Sequence, residues 1–276
     1  MGFMVWSTKQ GGLIEVRFFV SDGKVVAIRS NDQEAVSFAR ALLAEYEPIN
    51  AAEGKLWRLL GGHRFYTDFH ETDLGVKGVV EDYSMQGTYE PETTRIVEET
   101  VKPGEVCLDA GASVGYFTLL LARKVGAGGT VHAFEPTANL FRYLRRNIEK
   151  NHYDSIVKTY CLALSSQAGI IEISGNATGR AGGVRAVPLD SLDIPALDFI
   201  KMDIDGSEPE ALKGMRKTIE RSPNLKAVIE YYPDYIKKLG HNPQDVLDIL
   251  DRYFTYEKIE KDYGVGYWNY FCIRRH

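Results

Sequence analysis

The most informative segment of the chain is Leu108-Asp109-Ala110-Gly111-Ala112-Ser113-Val114-Gly115-Tyr116. The apolar run Val106–Leu108 leads into it, and an apolar helical pattern follows it. Glycines in such a loop let the backbone turn sharply and approach a ligand closely. In open parallel sheets, ligands bind beyond the carboxyl ends of the strands, where a first strand-to-helix loop lies. The segment therefore predicts an α/β domain with a ligand site at this loop, and a plain tight turn is the alternative.

From residue 106 onward, apolar runs typical of strands alternate with helical periodicity. The predicted strands are Val106–Leu108, Thr130–Phe134, Ile156–Leu164, Leu197–Ile204, Leu225–Glu230, Tyr253–Ile259 and Tyr267–Ile273. The predicted helices are Tyr116–Lys124, Thr137–Lys150, Ser207–Glu220 and Asn242–Tyr253. Because short turns join these elements, they indicate a mostly parallel sheet covered on both faces. We therefore predict a Rossmann-like α/β domain over residues 86–276.

Residues 1–85 are predicted to form a small α+β accessory region. The β-prone runs Leu13–Val20 and Lys24–Ile28 are joined by a Ser-Asp-Gly turn, which predicts a hairpin. Helical spacing of apolar residues predicts a helix over Asn31–Tyr46, and His63–Val80 resembles further strand. This region carries no catalytic motif, so the search for function concentrates on the second domain.

Composition and charge disfavour several classes of protein. The net charge is −5, and a nucleic-acid binder would carry a basic excess. No apolar run reaches the length of a membrane span, and no signal pattern is present, so a cytoplasmic protein is expected. Cys107, Cys161 and Cys272 lack metal-binding spacing and are predicted to be buried thiols. Assembly into a homo-oligomer is left open.

An acid ends the second predicted strand, in the segment Val131–Pro136. In that position Glu135 can accept two hydrogen bonds from a ribose diol, or it can serve as a negative charge at the start of the following helix. Asp109 occupies the first glycine position of the dinucleotide fingerprint, where a carboxylate disfavours a pyrophosphate and favours an ammonium group. Together, the two acids indicate an adenosyl ligand without phosphates, namely S-adenosylmethionine rather than NAD or ATP.

A third group of acids lies at the end of the predicted strand Leu197–Ile204. Asp203 and Asp205 lie two residues apart, and such residues share one face of a strand, so both are expected to point into the ligand crevice. The predicted site contains no metal. The minority alternative is a divalent cation bound by these two acids and Glu230.

Taken together, these segments resemble the FkbM family of S-adenosylmethionine-dependent methyltransferases. The resemblance spans roughly residues 87–232, and it is weakened at Asp205, where family members commonly carry Glu. The segments that carry it are Gly87–Pro91, Cys107–Thr118, Ala133–Pro136, Cys161–Ser165, Leu189–Leu192, Phe199–Glu208 and Ala211–Gly214.

The resemblance implies a class I methyltransferase fold, with a seven-stranded, mostly parallel sheet and an antiparallel final strand near Tyr267–Ile273. It also implies O-methylation of a hydroxyl group on a sugar, glycolipid or natural product. Asp203 is the first candidate for a general base, followed by Glu230 and Glu208. The residues implied to bind the cofactor are Tyr89, Glu90, Asp109, Gly111, Ala112, Ser113, Gly115, Tyr116, Phe117, Glu135, Pro136, Leu162, Ala163 and Asp203.

The aromatic residues near the C-terminus have two interpretations, an acceptor pocket or ordinary core packing. They are Tyr231, Tyr232, Tyr263, Tyr267 and Trp268. The acceptor itself is expected to be a small molecule or a glycan.

Two other functions remain open at this point. An RNA or protein N-methyltransferase on the same fold would carry an Asn-Pro-Pro-Tyr-like loop after the fourth strand, where this chain has Asp203-Ile204-Asp205-Gly206. A cofactor-binding module without activity is the second, because a fold alone does not determine function.

Overall fold

A computed structural model describes residues 88–173, 182–259 and 266–275, together with six strands between residues 2 and 68. The chain divides into two compact units, Met1–Thr72 and Asp73–His276. The predicted domain boundary at residue 85 lies outside the described residues and stays a prediction.

The described part of the first unit contains two antiparallel sheets of three strands each. The strands of these sheets are β1 (Gly2–Ser7), β2 (Leu13–Ser21) and β3 (Lys24–Arg29), and β4 (Tyr46–Ile49), β5 (Lys55–Leu60) and β6 (His63–Asp68). The predicted hairpin is confirmed as β2 and β3. The helix predicted over Asn31–Tyr46 lies outside the described residues apart from Tyr46, which begins β4 instead.

The second unit is built on a seven-stranded sheet with the order β15-β16-β14-β13-β7-β8-β9. Its strands are β7 (Val106–Ala110), β8 (Thr130–Phe134), β9 (Val157–Tyr160), β13 (Phe199–Met202), β14 (Lys226–Tyr231), β15 (Phe254–Ile259) and β16 (Trp268–Arg274). Neighbouring strands are parallel, except that β16 runs antiparallel to both β14 and β15. The predicted class I methyltransferase fold with an antiparallel final strand is thereby confirmed.

The helices of the second unit include those predicted, with one correction, and two that were not predicted, at residues 91–100 and 233–238. They are α1 (Pro91–Thr100), α2 (Tyr116–Val125), α3 (Ala138–Lys150), α4 (Glu208–Lys213), α5 (Arg216–Glu220), α6 (Pro233–Lys238) and α7 (Gln244–Tyr253). The single helix predicted over Ser207–Glu220 was wrong, because Gly214 interrupts it. The Gly214 carbonyl accepts a hydrogen bond from the Asp190 backbone, and the Asp190 carboxylate caps the first turn of α5 by accepting from the N–H groups of Lys217 and Thr218.

The strand predicted over Ile156–Leu164 is also divided. Its first half is β9, at the edge of the large sheet. Its second half, β10 (Ala163–Leu164), pairs with β12 (Gly182–Val187), and β12 also pairs with β11 (Gly169–Ile173). This small sheet places Ala163 and Leu164 next to the ends of β7 and β8, where the candidate site lies.

Most positions that were predicted to be buried are buried in the structure, and the prediction for one cysteine was wrong. Leu140, Leu144 and Ile148 of α3 are buried, as their helical spacing predicts. Cys107 and Cys272 are buried, but Cys161 is exposed, because it lies in the segment that leaves the edge strand β9. Among the described residues, no helix has the length and apolar character that crossing a membrane requires.

Candidate functional site

A cavity of about 540 Å³ lies beyond the carboxyl ends of β7, β8 and β13. Most of the residues expected to bind a cofactor line this cavity. They are Tyr89, Asp109, Gly111, Ala112, Ser113, Tyr116, Phe117, Glu135, Pro136, Leu162, Ala163 and Asp203. Glu90, Gly115, Glu208 and Glu230 are not among the residues that line it.

The loop after β7 is held by its glycines and by the neighbouring strand. The N–H groups of Gly111 and Ala112 donate to the Phe134 carbonyl oxygen at 3.0 and 2.9 Å. Gly111 has a φ of +84°, and a Cβ there would lie 1.8 Å from the Asp203 carbonyl oxygen. Glycine is therefore required at this position for close contact with the chain's own backbone at the end of β13.

The Asp109 carboxylate is buried and only half satisfied by the described residues. Thr118 Oγ1 donates to its Oδ2 at 2.5 Å, whereas its Oδ1 has no hydrogen-bond partner among the described residues. Burial raises the pKa of Asp109 to about 6, although the charge of Lys201 and the Thr118 hydrogen bond oppose that shift. A ligand ammonium group would satisfy Oδ1 with a charge-assisted hydrogen bond, so this residue fits the amino-acid end of S-adenosylmethionine.

The Glu135 carboxylate is fixed by two backbone groups. The Ser113 N–H donates to Oε2 at 2.9 Å, and the Thr137 N–H donates to Oε1 at 2.7 Å. Since Thr137 precedes α3, Glu135 does lie at a helix N-terminus, as one interpretation expected. Burial raises its pKa to about 7 against these hydrogen bonds. Each carboxylate oxygen retains further acceptor capacity, so the ribose role is compatible with this arrangement.

Three acids approach one another where β13 and β14 end. One carboxylate oxygen from each of Asp203, Asp205 and Glu230 lies within 4.8 Å of the other two. Asp203 and Asp205 line the cavity, and Asp205 has a left-handed φ of +50° in the turn after β13. Lys201 places its Nζ 2.8 Å from Asp203 Oδ2, which brings a positive charge to the same cluster.

Glu208 and Glu90 are buried and have structural contacts. Glu208 Oε1 accepts the Ile204 N–H at 3.0 Å, which holds the turn between β13 and α4, and burial raises the pKa of Glu208. Glu90 lies at the N-terminus of α1, with a φ of +44° and its side chain beside Asn269. Neither side chain is directed at the ligand cavity, so Asp203 is the better placed candidate for a base.

Lys201 is a charged lining residue that sequence reasoning missed, and it is almost fully buried. Its Nζ lies 4.8 Å above the ring of Phe117, the second residue of α2. Its position in β13 is directly opposite Asp109 in β7. The same period of two that paired Asp203 with Asp205 also places Lys201 on the face of Asp203, so the signal was present in the sequence.

One wall of the cavity is aromatic. Tyr232 and Tyr235 line it together with Leu239. The two tyrosine rings are stacked, with centroids 5.6 Å apart, and the Tyr267 ring lies 5.2 Å from that of Tyr232. The turn after β13 packs against this wall, because a Cβ on Gly206 would lie 3.0 Å from Tyr235 Cδ1.

The other C-terminal aromatic residues have different positions. Tyr231 is buried, and its ring packs 5.3 Å from the ring of Trp268. Neither of these two lines the cavity, so core packing is the correct interpretation for them. Tyr263 lies outside the described residues.

Comparison with known proteins identifies the family. The family described as Methyltransferase FkbM domain matches residues 109–258, which is more than half of the chain. The chain belongs to the FkbM methyltransferase family.

Individual relatives of this FkbM-family chain are more distant. Hexuronic acid methyltransferase AglP of Haloferax volcanii is 26% identical over 58% of this chain and 67% of that protein. The 31-O-demethyl-FK506 methyltransferase FkbM of Streptomyces tacrolimicus is 39% identical over 25% of this chain and 26% of that protein. The solved structure of methyltransferase FkbM from Methylobacillus flagellatus KT is 21% identical, with a TM-score of 0.47, and covers 70% of this chain and 52% of that one. The chain spans between 22% and 67% of the length of the curated relatives it matches.

The family match covers the acids of the site but not all of the cavity. It begins at Asp109 and includes Glu135, Asp203 and Glu230. Tyr89, which lines the cavity from the N-terminal side, lies before it. The Tyr89 carbonyl accepts a hydrogen bond from Thr94 Oγ1 at 2.6 Å, and the Tyr89 ring packs 5.4 Å from the Tyr116 ring.

Proposed function

We propose that this FkbM-family chain is an S-adenosylmethionine-dependent O-methyltransferase that acts on a hydroxyl group of a sugar, glycolipid or natural product. The observation that supports it most is the buried Asp109 carboxylate in the cavity wall, whose Oδ1 has no partner among the described residues. A buried carboxylate oxygen left in this state is destabilising unless a ligand donates to it, and an ammonium group is the matching donor.

Each part of the cofactor has a matching part of the cavity. We assign its amino-acid end to Asp109 and the loop after β7, and its ribose to Glu135. The adenine ring would lie against Leu162 and Ala163, whose apolar side chains line the cavity. Tyr89 would cover the cofactor from the side of α1.

When bound, S-adenosylmethionine supplies the methyl group: the bond between methyl carbon and sulfur breaks, its electron pair returns to sulfur, and the carbon bonds to the acceptor oxygen. The protein must align the acceptor and accept the hydroxyl proton, and we assign the proton to Asp203. Asp203 lines the cavity and is held by Lys201, so its carboxylate has a defined position.

The acceptor side combines aromatic and acidic groups. The faces of Tyr232 and Tyr235 offer apolar surface, and the carboxylates of Asp203 and Asp205 offer hydrogen-bond acceptors in the same cavity. A sugar ring has apolar C–H faces and many hydroxyl donors, so it matches both. The relative named as a hexuronic acid methyltransferase agrees with a carbohydrate acceptor.

We propose that transfer needs no divalent cation. The three acids near Asp203 are close enough to bind one, but the Lys201 ammonium group already provides a positive charge at the Asp203 carboxylate. An alcohol oxygen attacking a sulfonium methyl group does not require a Lewis acid, because the electrophile is activated by the cofactor itself.

Two measurements test the proposed function. Thermal unfolding with S-adenosylmethionine or S-adenosylhomocysteine should show a raised Tm, since a ligand that binds only the native state stabilises it. Transfer of a tritiated methyl group should then be measured against sugars, hydroxylated small molecules, bulk RNA and protein. Labelled sugar or small-molecule hydroxyl groups support the proposal. Label in RNA or protein alone would show an N-methyltransferase or a protein acceptor, and no shift in Tm with either ligand would contradict cofactor binding.

A further inference from the structure

A buried lysine lies in the wall of a cavity that is otherwise rich in acids. Lys201 is 3% exposed, and buried lysines are rare in proteins unless they are paired. Its Nζ is 2.8 Å from Asp203 Oδ2 and 4.8 Å from the centroid of the Phe117 ring. Strand register places it opposite Asp109. The ammonium group is therefore held between the Asp203 carboxylate, which follows β13, and the Phe117 ring in the first turn of α2.

The surroundings keep Lys201 charged. Burial alone lowers the pKa of a lysine, but the carboxylates of Asp203, Glu90 and Asp109 outweigh it, so the pKa of Lys201 lies above its ordinary value. The cavity thus contains a fixed positive charge beside Asp109, the residue assigned to a ligand ammonium group.

The positive charge of Lys201 is unexpected in the site of a ligand that is itself positively charged at sulfur. S-adenosylmethionine carries one positive charge more than S-adenosylhomocysteine, at the sulfur, and the two molecules otherwise differ by a methyl group. A cation in the wall raises the energy of the charged donor relative to the neutral product. Methyl transfer removes the positive charge at sulfur. The same cation therefore stabilises the transition state of the transfer relative to the bound donor.

We propose that Lys201 is a specificity-determining residue that reduces the preference of the cavity for the charged methyl donor over the neutral product. The role rests on the proposed function, because it presumes that both molecules bind in this cavity. The negative charge of Asp203 opposes the positive charge of Lys201, so the two side chains together set the electrostatic potential at the cofactor sulfur.

Lys226 provides a matched control. It also lies in the central sheet, in β14, and its Nζ forms an ion pair with Glu105 Oε1 at 3.2 Å. It does not line the cavity. Replacing it with methionine removes a lysine of the same sheet without changing the charge of the cavity wall.

The test is the ratio of two dissociation constants, Kd for S-adenosylhomocysteine over Kd for S-adenosylmethionine, measured by titration calorimetry on the full chain. Lys201→Met should raise this ratio about tenfold, because the donor gains relative to the product. Asp203→Asn should lower it. The ratio for the double variant, Lys201→Met with Asp203→Asn, should be close to that of the wild type. Lys226→Met should leave the ratio unchanged.

Removing one partner of a buried ion pair can prevent folding, so the double variant also serves as a second test. If the single variant Lys201→Met does not fold, the double variant should still have a ratio about tenfold higher than that of Asp203→Asn alone. An unchanged or lowered ratio in both backgrounds overturns the inference while leaving the proposed function intact. Failure of the wild-type chain to bind either molecule overturns the proposed function, and the inference with it.

Discussion

Replacing Asp109 with asparagine tests the centre of the proposed site. Asparagine has the same size, and its side-chain oxygen can still accept the Thr118 hydroxyl, so the local fold should persist. What is lost is the negative charge and the Oδ1 acceptor that has no partner among the described residues. We therefore expect a change in ligand affinity with little change in stability.

The size of that change follows from one charge-assisted hydrogen bond. Hydrogen bonds to charged groups contribute about 1.5–3 kcal/mol, which corresponds to a rise of roughly 10- to 150-fold in Kd for S-adenosylmethionine.

The effect should depend on pH. Since the pKa of Asp109 is raised to about 6, the wild-type carboxylate is charged above that pH and becomes protonated below it. The difference in affinity between wild type and variant should shrink as pH falls below 6.

Titration calorimetry between pH 5 and pH 8 measures both effects. Asp198→Asn is the control, because Asp198 also binds a backbone group of β7, the Val106 N–H at 2.9 Å, but at the amino ends of the strands. The affinity of the Asp198→Asn variant for the cofactor should match that of the wild type. Equal affinities of wild type and Asp109→Asn at pH 8 would refute the assignment of Asp109 to the ligand's ammonium group.

Three further outcomes are expected. Gly111→Ala should lower the free energy of unfolding by at least about 2 kcal/mol more than Gly104→Ala, since both glycines have positive φ but only Gly111 would place a Cβ against backbone; equal denaturant midpoints would contradict that packing. Asp203→Asn should lose about 10²-fold or more in turnover at saturating cofactor, and an unchanged initial rate with the acceptor found by the tritium assay would remove Asp203 as the base. Chelation with EDTA should leave that rate unchanged, whereas loss of activity restored by added Mg²⁺ would establish the metal alternative.

The acids of the site were predictable because each one follows a buried strand. Asp109, Glu135 and Asp203 come after apolar runs, and a parallel sheet brings the carboxyl ends of its strands to one edge. The structure places all three around one cavity. The same rule brought Glu230 close to Asp203, although it did not place Glu230 in the cavity wall.

Features that depend on contacts between distant segments were not predictable. The break at Gly214 arises because Asp190, from another part of the chain, captures its carbonyl and caps the next helix. The pairing of β10 with β12 divides an apparently continuous strand in the same way. Hydrophobic periodicity reports which face of an element is buried, but it contains no information on which neighbour covers that face.

The position of β16 makes it the strand that completes the sheet. β16 is hydrogen-bonded to β14 on one side and to β15 on the other, and β15 has no other neighbour among the strands that the structure describes. The strand that is synthesised last, β16, therefore joins β15 to the rest of the sheet. Until it does, the edge of β14 stays open beside the turn that follows it, and Tyr232 in that turn lacks the Tyr267 ring. Pairing of β16 with β14 therefore also brings Tyr267, the residue before β16, beside Tyr232 in the aromatic wall of the cavity.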